Sequence, residues 1–236
     1  MALLEVDGLC TTCDQVTQFR SEYDWLRDHF KCGKCGSIPR ERALMLVIER
    51  YMPDWRERRI HESSPGGRGA SVKLARAPGY GASHYFPAMP LGAVAPGGIA
   101  NENLERLSFP DETFDLVVTQ DVMEHVFEPD HAFAEIGRVL KRGGMHVFTT
   151  PLVNKHQPSE RRARLLADGS IEHLAEPEYH GNPVDPSGSL VTFHWGYDVA
   201  HHVYRSSGLL STIVFIDDLS HGIRAEYIEV IVSSKR

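Results

Sequence analysis

Long apolar runs are missing from this 236-residue sequence: nowhere do about eighteen apolar residues follow one another, as a membrane-spanning helix requires. The opening MALLEVDGLC has neither the basic flank nor the long apolar centre of a secretory signal, so a soluble, cytoplasmic protein is expected. Positive charge is also in deficit. With 25 Lys+Arg against 32 Asp+Glu, the net charge of −7 counts against a general polyanion binder, because affinity for nucleic acid comes mainly from neutralising phosphates. Cysteine is scarce, with four in all, and the 13 histidines are scattered and form no tract. What remains is 42% hydrophobic and 24% charged, enough for one sizeable core and a small appendage.

The four cysteines are Cys10, Cys13, Cys32 and Cys35, and their C-x2-C-x18-C-x2-C spacing lies within the range of four-thiolate zinc sites. A structural zinc is the leading reading. Two disulfides, which a reducing cytosol disfavours, and four free thiols are the alternatives. A closed four-sulfur site leaves no open position for chemistry, which disfavours a redox role. Phe19, Tyr23, Trp25, Leu26 and Phe30 between the pairs read as the filling of a zinc ribbon over residues 1–37, with the main domain over 38–236. Residues 1–60 hold ten basic and ten acidic side chains, so the ribbon is not the basic surface that gripping RNA demands. Pro39 near a helix start, then Ala43, Leu44, Leu46, Val47, Ile48 and Tyr51 before Pro53, predict a helix that docks the ribbon on the main sheet. Arg40 and Arg42 read as its solvated face in preference to residues leaning over a cleft.

The stretch from Leu107 to Pro151, LSFPDETFDLVVTQDVMEHVFEPDHAFAEIGRVLKRGGMHVFTTP, organises the rest. A Pro-Asp-Glu turn leads into Phe114, Leu116, Val117 and Val118, a buried strand that ends on polar Gln120 and Asp121. Phe133, Ile136, Val139 and Leu140 recur at helical spacing, and Lys141-Arg142-Gly143-Gly144 supplies a basic last turn and a glycine stop. A second strand, Met145 to Thr149, closes at Pro151. This is one parallel crossover unit in a doubly wound α/β sheet, and ligands of such sheets sit beyond the carboxyl ends of the strands. Gln120 to His125 are therefore expected to line a pocket.

FPDETFDLVVTQDVMEHV followed by FAEIGRVLKRGGMHVFTTP resembles the strand-four to strand-five region of class I S-adenosylmethionine-dependent methyltransferases, the small-molecule type with D-x-x-E-H after strand four. The resemblance is strong over Leu107–Pro151 and weak over Ile60–Arg236. It implies a Rossmann-like sheet of order 3-2-1-4-5-7-6 with the last strand antiparallel, and S-adenosylmethionine as cofactor. Arg59 to Gly69 reads, by itself, as a short strand, a glycine-rich turn and a helix over Ala70–Ala77. By the resemblance this is the first cofactor motif, with Glu62 at the acidic position and Ser63, Gly66, Gly67 and Gly69 forming the loop. Ser63-Ser64-Pro65 stand where a first glycine is usual. Tyr80 to Phe86 reads as strand two, ending on His84 and Tyr85 where the family has a carboxylate for the ribose. Pro87 to Gly98 is a Pro/Gly/Ala-rich loop, and Ile99 to Leu104 a short third strand, with Asn103 and Leu104 implied beside the adenine. Asn103 as a plain turn residue is the alternative. Gln120 is implied at the methionine end.

In-line methyl transfer needs an aligned nucleophile and, for a hydroxyl or protonated amine, a base. His125 is the first candidate, with Asp121 beside it; the alternatives are a structural His125 and a capping Asp121. Residues 152–195 are polar and turn-rich and read as an acceptor-binding insertion or lid. His156, Arg161, Arg164, His173, Tyr179, His180 and Asn182 are its polar candidates, with His180 the second catalytic choice and the arginines read as a solvated helix face. His194 and Trp195 read as pocket wall or core. A helix over Tyr197–Ser207 stopped at Gly208, then strands over Leu210–Ile216 and Ala225–Val232, complete the chain. The function so implied is transfer of a methyl group to oxygen or nitrogen of a small-molecule acceptor such as a sugar or other metabolite. An RNA methyltransferase and a non-catalytic binding protein with a degenerate cofactor site are the alternatives. Membrane and nucleic acid are disfavoured as partners, and the acceptor and oligomeric state stay open.

Overall fold

The structure, a computed structural model, describes residues 3–181 and 186–236; Asn182 lies outside them. Strands β1 (Leu4–Cys10) and β2 (Gln15–Ser21) pair antiparallel across the turn that carries Cys13, and β3 (Lys31–Cys32) joins β2 after the one-turn helix α1 (Leu26–His29). Phe19 and Phe30 are wholly buried with ring centroids 5.9 Å apart. Tyr23 and Trp25, expected beside them, stay exposed, because a three-stranded ribbon has only one thin face to fill.

Helix α2 (Pro39–Tyr51) begins as the sequence predicts, with Pro39 in its first turn and the Glu41 carboxylate accepting from the Ile38 amide at 3.1 Å. Arg42 is fully buried, which corrects the solvated reading. Its guanidinium donates to the Phe30 carbonyl at 2.7 Å, the Gly222 carbonyl at 2.6 Å and the Ser37 carbonyl, and lies 4.6 Å over the Phe19 ring. The Ser37 carbonyl also accepts from the Cys32 amide at 2.9 Å, so one side chain fastens the ribbon, α2 and the C-terminal loop together. Burial lowers its pKa to about 10, which leaves it protonated at neutral pH.

The central sheet follows: β4 (Ile60–Ser63), α3 (Gly69–Leu74), β5 (Tyr80–His84), β6 (Ala100–Asn101), β7 (Phe114–Gln120), α4 (Pro129–Val139) and β8 (Leu140–Thr149). An insertion contributes β9 (Glu160–Arg161), β10 (Ala163–Leu165), β11 (Ile171–His173), β12 (Tyr179–His180), β13 (Ser189–Leu190) and β14 (Phe193–His194) as three small pairs, β9 with β14, β10 with β11 and β12 with β13. Then come α5 (Val199–Ser207), stopped by Gly208 at φ 73°, and the strands β15 (Leu210–Val214) and β16 (Val230–Ser234). The seven-stranded order is β15-β16-β8-β7-β4-β5-β6, with β16 antiparallel to both neighbours. Numbered within the sheet, this is the order 3-2-1-4-5-7-6 expected from the resemblance.

Alternate residues serve opposite faces. Leu116, Val118, Val147 and Val232 pack under α2 and α3, whereas Val117, Phe148 and Ile231 pack under α4 and α5. An irregularity in the β7–β8 register between Phe114 and Leu116 puts Phe114 on the α4 side with Val117. The third strand is shorter than Ile99–Leu104, because the Asn101 side chain binds the Phe86 amide and the Met89 carbonyl and turns the chain into a loop. Arg161 and Arg164 lie on short strands, paired to Glu128 and Glu172, and not on a helix face. No helix among the described residues is long and apolar enough to cross a membrane.

Candidate active site

The carboxyl ends of β4, β5, β6, β7 and β8 open into one cavity of about 1150 Å³. At one end it is walled by Ser63, Ser64, Pro65 and Gly66 after β4, by His84 and Tyr85 after β5, and by Asn103 and Leu104 after β6. Ser64 sits at φ 56°, the left-handed conformation a glycine would adopt freely, so the loop keeps a glycine-type turn without a glycine at that point. Gly66 has room for close approach, since a Cβ there would meet nothing nearer than the Ser71 hydroxyl at 3.8 Å.

Three of the expected cofactor residues stand behind this wall. Glu62 is fully buried and accepts from the Ser71 hydroxyl at 2.6 Å, the Gln120 amide at 2.7 Å and the Tyr80 hydroxyl at 2.8 Å. Burial pushes its carboxyl above the ordinary value, against those three donors. It sets the loop and Gln120 in place from below. Gly67 faces open space, and Gly69 at φ 59° leaves the room that the Glu41 carboxylate occupies. At the end of β5 no carboxylate stands; His84 is buried there, and burial lowers its pKa, which favours the neutral ring.

In the middle, Gln120 and Asp121 leave β7, Asp121 at φ 50°. Its carboxylate takes a hydrogen bond from Arg27 of α1 at 2.6 Å and one from Thr149 at 2.9 Å, and lies 2.8 Å from the Arg40 Nε. Burial alone would raise its pKa, but Arg40 and Arg27 outweigh that and hold it well below the usual carboxylate range. Asp121 is thus a fixed anion that anchors the ribbon over the cleft. Arg40 leans over the cavity with Arg27 and Trp25, which corrects its reading as a solvated residue.

The far end holds Glu124, His125 and His180. Glu124 is 1% exposed; Thr150 donates to its Oε2 at 2.9 Å, and its Oε1 has no hydrogen-bond partner among the described residues. Burial and then the nearby Asp121 charge push this carboxyl up to about 8. His125 Nδ1 lies 2.8 Å from the Leu190 carbonyl, so that nitrogen carries the proton and Nε2 keeps a lone pair. Burial lowers its pKa below the ordinary histidine value. The His180 ring stands 5.1 Å from it at 90° and binds Glu178 through Nε2 at 3.2 Å. The insertion secures this end: the Thr192 hydroxyl donates to the Val126 and Glu124 carbonyls, and the Trp195 indole to the Met123 carbonyl. His194 binds Glu178 at 2.8 Å and lines the cavity, while Trp195 is core. His156 and His173 do not reach the wall, and Tyr179 does.

Sequence reasoning set Glu124 on the pocket wall without a role of its own and passed over Arg27 and Glu178. Glu124 was legible as the acidic partner beside His125 in D-x-x-E-H. Arg27 carries no local signal, since its partner lies 94 residues away.

Residues 88–148 match the family model described as a methyltransferase domain. Among curated proteins, the ubiquinone/menaquinone biosynthesis C-methyltransferase UbiE of Hydrogenovibrio crunogenus is 31% identical over 123 residues, 46% of this chain and 48% of that one. The sarcosine/dimethylglycine N-methyltransferase of Halorhodospira halochloris is 26% identical over 134 residues, 56% and 47% of the two chains. The chain spans about half the length of these curated relatives. Among solved structures, the Burkholderia thailandensis 1,6-didemethyltoxoflavin-N1-methyltransferase, with S-adenosylhomocysteine bound, superposes with a TM-score of 0.50 at 13% identity, over 83% of this chain and 78% of that one. The [4+2]-cyclase SpnF does so with a TM-score of 0.50 at 16% identity, over 92% and 86%. A methyltransferase and a cyclase on one scaffold make plain that such likeness gives the fold and not the reaction. The chain has the class I methyltransferase fold of these solved structures, and its match to the methyltransferase domain model is confined to residues 88–148.

The cysteine module sits on the flank of this site. The four sulfurs lie within 4.8 Å of one another, with Cys10–Cys35 at 3.7 Å and Cys13–Cys32 at 3.9 Å. Tetrahedral thiolates on one zinc at about 2.3 Å stand about 3.8 Å apart, so the donor set and its spacing suit that ion.

Proposed function

We propose that this protein is an enzyme that transfers a methyl group from S-adenosylmethionine to a small-molecule acceptor, with a structural zinc in the ribbon over residues 1–37. The observation that carries this is the single cavity running from the Ser63–Gly66 loop past Gln120 to His125 and His180, with room for a nucleoside and a modest second ligand. S-adenosylmethionine supplies an electrophilic methyl on a sulfonium. Ser63 to Gly66 would hold its amino-acid end, His84 and Tyr85 the ribose, Asn103 and Leu104 the adenine, and Gln120 the approach to sulfur. Glu62 keeps the loop and Gln120 in register. The described residues of the 152–195 insertion, Leu165, Ile171, Tyr179 and Leu190 among them, close the acceptor side.

When bound, the cofactor would supply that methyl carbon to the acceptor atom, its carbon–sulfur bond breaking with the electrons left on a neutral thioether. The acceptor's proton must leave, and His125 Nε2, with a free lone pair at the cavity wall, is placed to receive it; His180 faces it across the same space. Asp121 positions and does not exchange protons, since it is locked between two arginines. The relatives' names divide between carbon and nitrogen methylation, so they leave the reacting atom open. Isothermal titration with S-adenosylmethionine and S-adenosylhomocysteine tests the proposal: micromolar binding of both is expected, and binding of neither overturns it.

A further inference from the structure

The acceptor end contains a group that proton transfer alone does not explain. Glu124 is a carboxylate 1% exposed with one oxygen, Oε1, unpartnered among the described residues and set at the cavity wall. A buried carboxyl oxygen without a partner is costly, and the cost is met either by taking up a proton or by coordinating a cation. One nitrogen of His125, one of His180 and a Glu124 oxygen lie within 4.8 Å of one another. We propose that Glu124, His125 and His180 form a second metal site, which binds a divalent first-row transition ion such as zinc or manganese and presents it to a hydroxyl of the acceptor. This deepens the methyltransferase reading and rests on it.

The supporting contacts are those a metal site requires around its ligands. His125 gives its Nδ1 proton to the Leu190 carbonyl at 2.8 Å, which fixes the tautomer with the Nε2 lone pair free, 3.9 Å from Glu124 Oε1. His180 is held through Nε2 by Glu178 at 3.2 Å, an imidazole–carboxylate pair that leaves Nδ1 unprotonated in the neutral ring. Glu178 is steadied in turn by His194 at 2.8 Å, and Glu124 by the Thr150 hydroxyl at 2.9 Å. Two imidazoles and one carboxylate suit zinc, manganese or iron(II) and leave at least one position open. Donors about 2.1 Å from one ion stand roughly 3.0 to 3.5 Å apart, so binding draws the three inward by about an ångström at most. The His180 side chain, 38% exposed, can supply that movement. Asp121 is no ligand, because Arg27 and Arg40 already occupy it.

With the ion bound, His125 acts as a ligand and not as the base. An acceptor hydroxyl in the open position loses its proton to water more readily, and the resulting oxygen attacks the methyl carbon as the carbon–sulfur bond breaks. The acceptor is then an alcohol or phenol.

Elemental analysis of the full-length protein after equilibration with zinc, with zinc titration by calorimetry, tests this. Two equivalents are expected in the parent. Glu124→Gln and His180→Ala should each retain the cysteine-bound equivalent and bind the second about tenfold more weakly or worse. His180→Ala lies on an exposed strand and stays informative if Glu124→Gln misfolds. One equivalent in the parent, or a second unaffected by both substitutions, overturns the site. S-adenosylhomocysteine titrated into the same samples separates the two readings: binding without a second ion removes the metal site and leaves His125 as base, whereas no binding removes the methyltransferase reading itself.

Discussion

Arg27 of the cysteine-bearing ribbon donates to the Asp121 carboxylate at the end of β7 at 2.6 Å, joining two parts of the chain 94 residues apart. Arg40 of α2 approaches the same carboxylate at 2.8 Å. The ribbon is therefore wired to the floor of the cavity, and disturbing either end should be felt at the other.

Asp121→Asn leaves two guanidiniums facing a neutral amide. Removing one partner of a largely buried pair costs about 3 kcal/mol. Urea denaturation should register a loss of that order, and S-adenosylhomocysteine affinity should fall with it. Parent-like stability would mean that the pairs contribute nothing.

Cys32→Ser opens the sulfur set, and one equivalent of zinc should vanish from elemental analysis. Because Trp25 and Arg27 lie between the cysteine pairs and line the cavity, cofactor affinity should drop about tenfold as well, which titration calorimetry measures. Unchanged affinity would show the ribbon to be independent of the site.

Ser64 holds a left-handed backbone at φ 56°. Ser64→Gly should retain cofactor affinity within about twofold, while Ser64→Val, β-branched where positive φ is required, should lower stability by about 1 to 2 kcal/mol in chemical denaturation.

Two buried histidines predict an acid limb. Burial lowers the pKa of His61 to about 4 and of His146 to about 3, beneath the ordinary value of 6.5. Each ring is neutral when folded, so the unfolded chain takes up protons first as the pH falls. Their contribution is complete above pH 6.5 and is lost from there down to about pH 4 for His61 and about pH 3 for His146, by about 1.4 kcal/mol per pH unit for each ring. His146, bound to Thr119 at 3.0 Å, offers the control: His146→Gln should shrink the stability difference between pH 7.5 and pH 5 by about 2 kcal/mol.

Local pattern carried much of this molecule. Pro39 set the start of α2, and Gly208 the end of α5. The apolar run at Leu116–Val118 marked the buried strand from which the site departs, and the cysteine spacing brought its four sulfurs together. These features are legible because each is enforced within one element or one turn, by backbone sterics, capping or the pleat of a strand. Arg40 and Arg42 were misread as solvated because helical periodicity records that a residue leaves the sheet face, and is silent about a second module covering it. Glu62 was read as a ligand contact and serves from beneath, since depth below a surface has no signature in spacing. The convergence of Arg27 and Arg40 on Asp121, and of His180 on Glu124 and His125, was decided by tertiary structure alone. Charge pairing and burial across distant segments depend on where whole elements dock, a property of the packed sheet and not of any stretch of sequence.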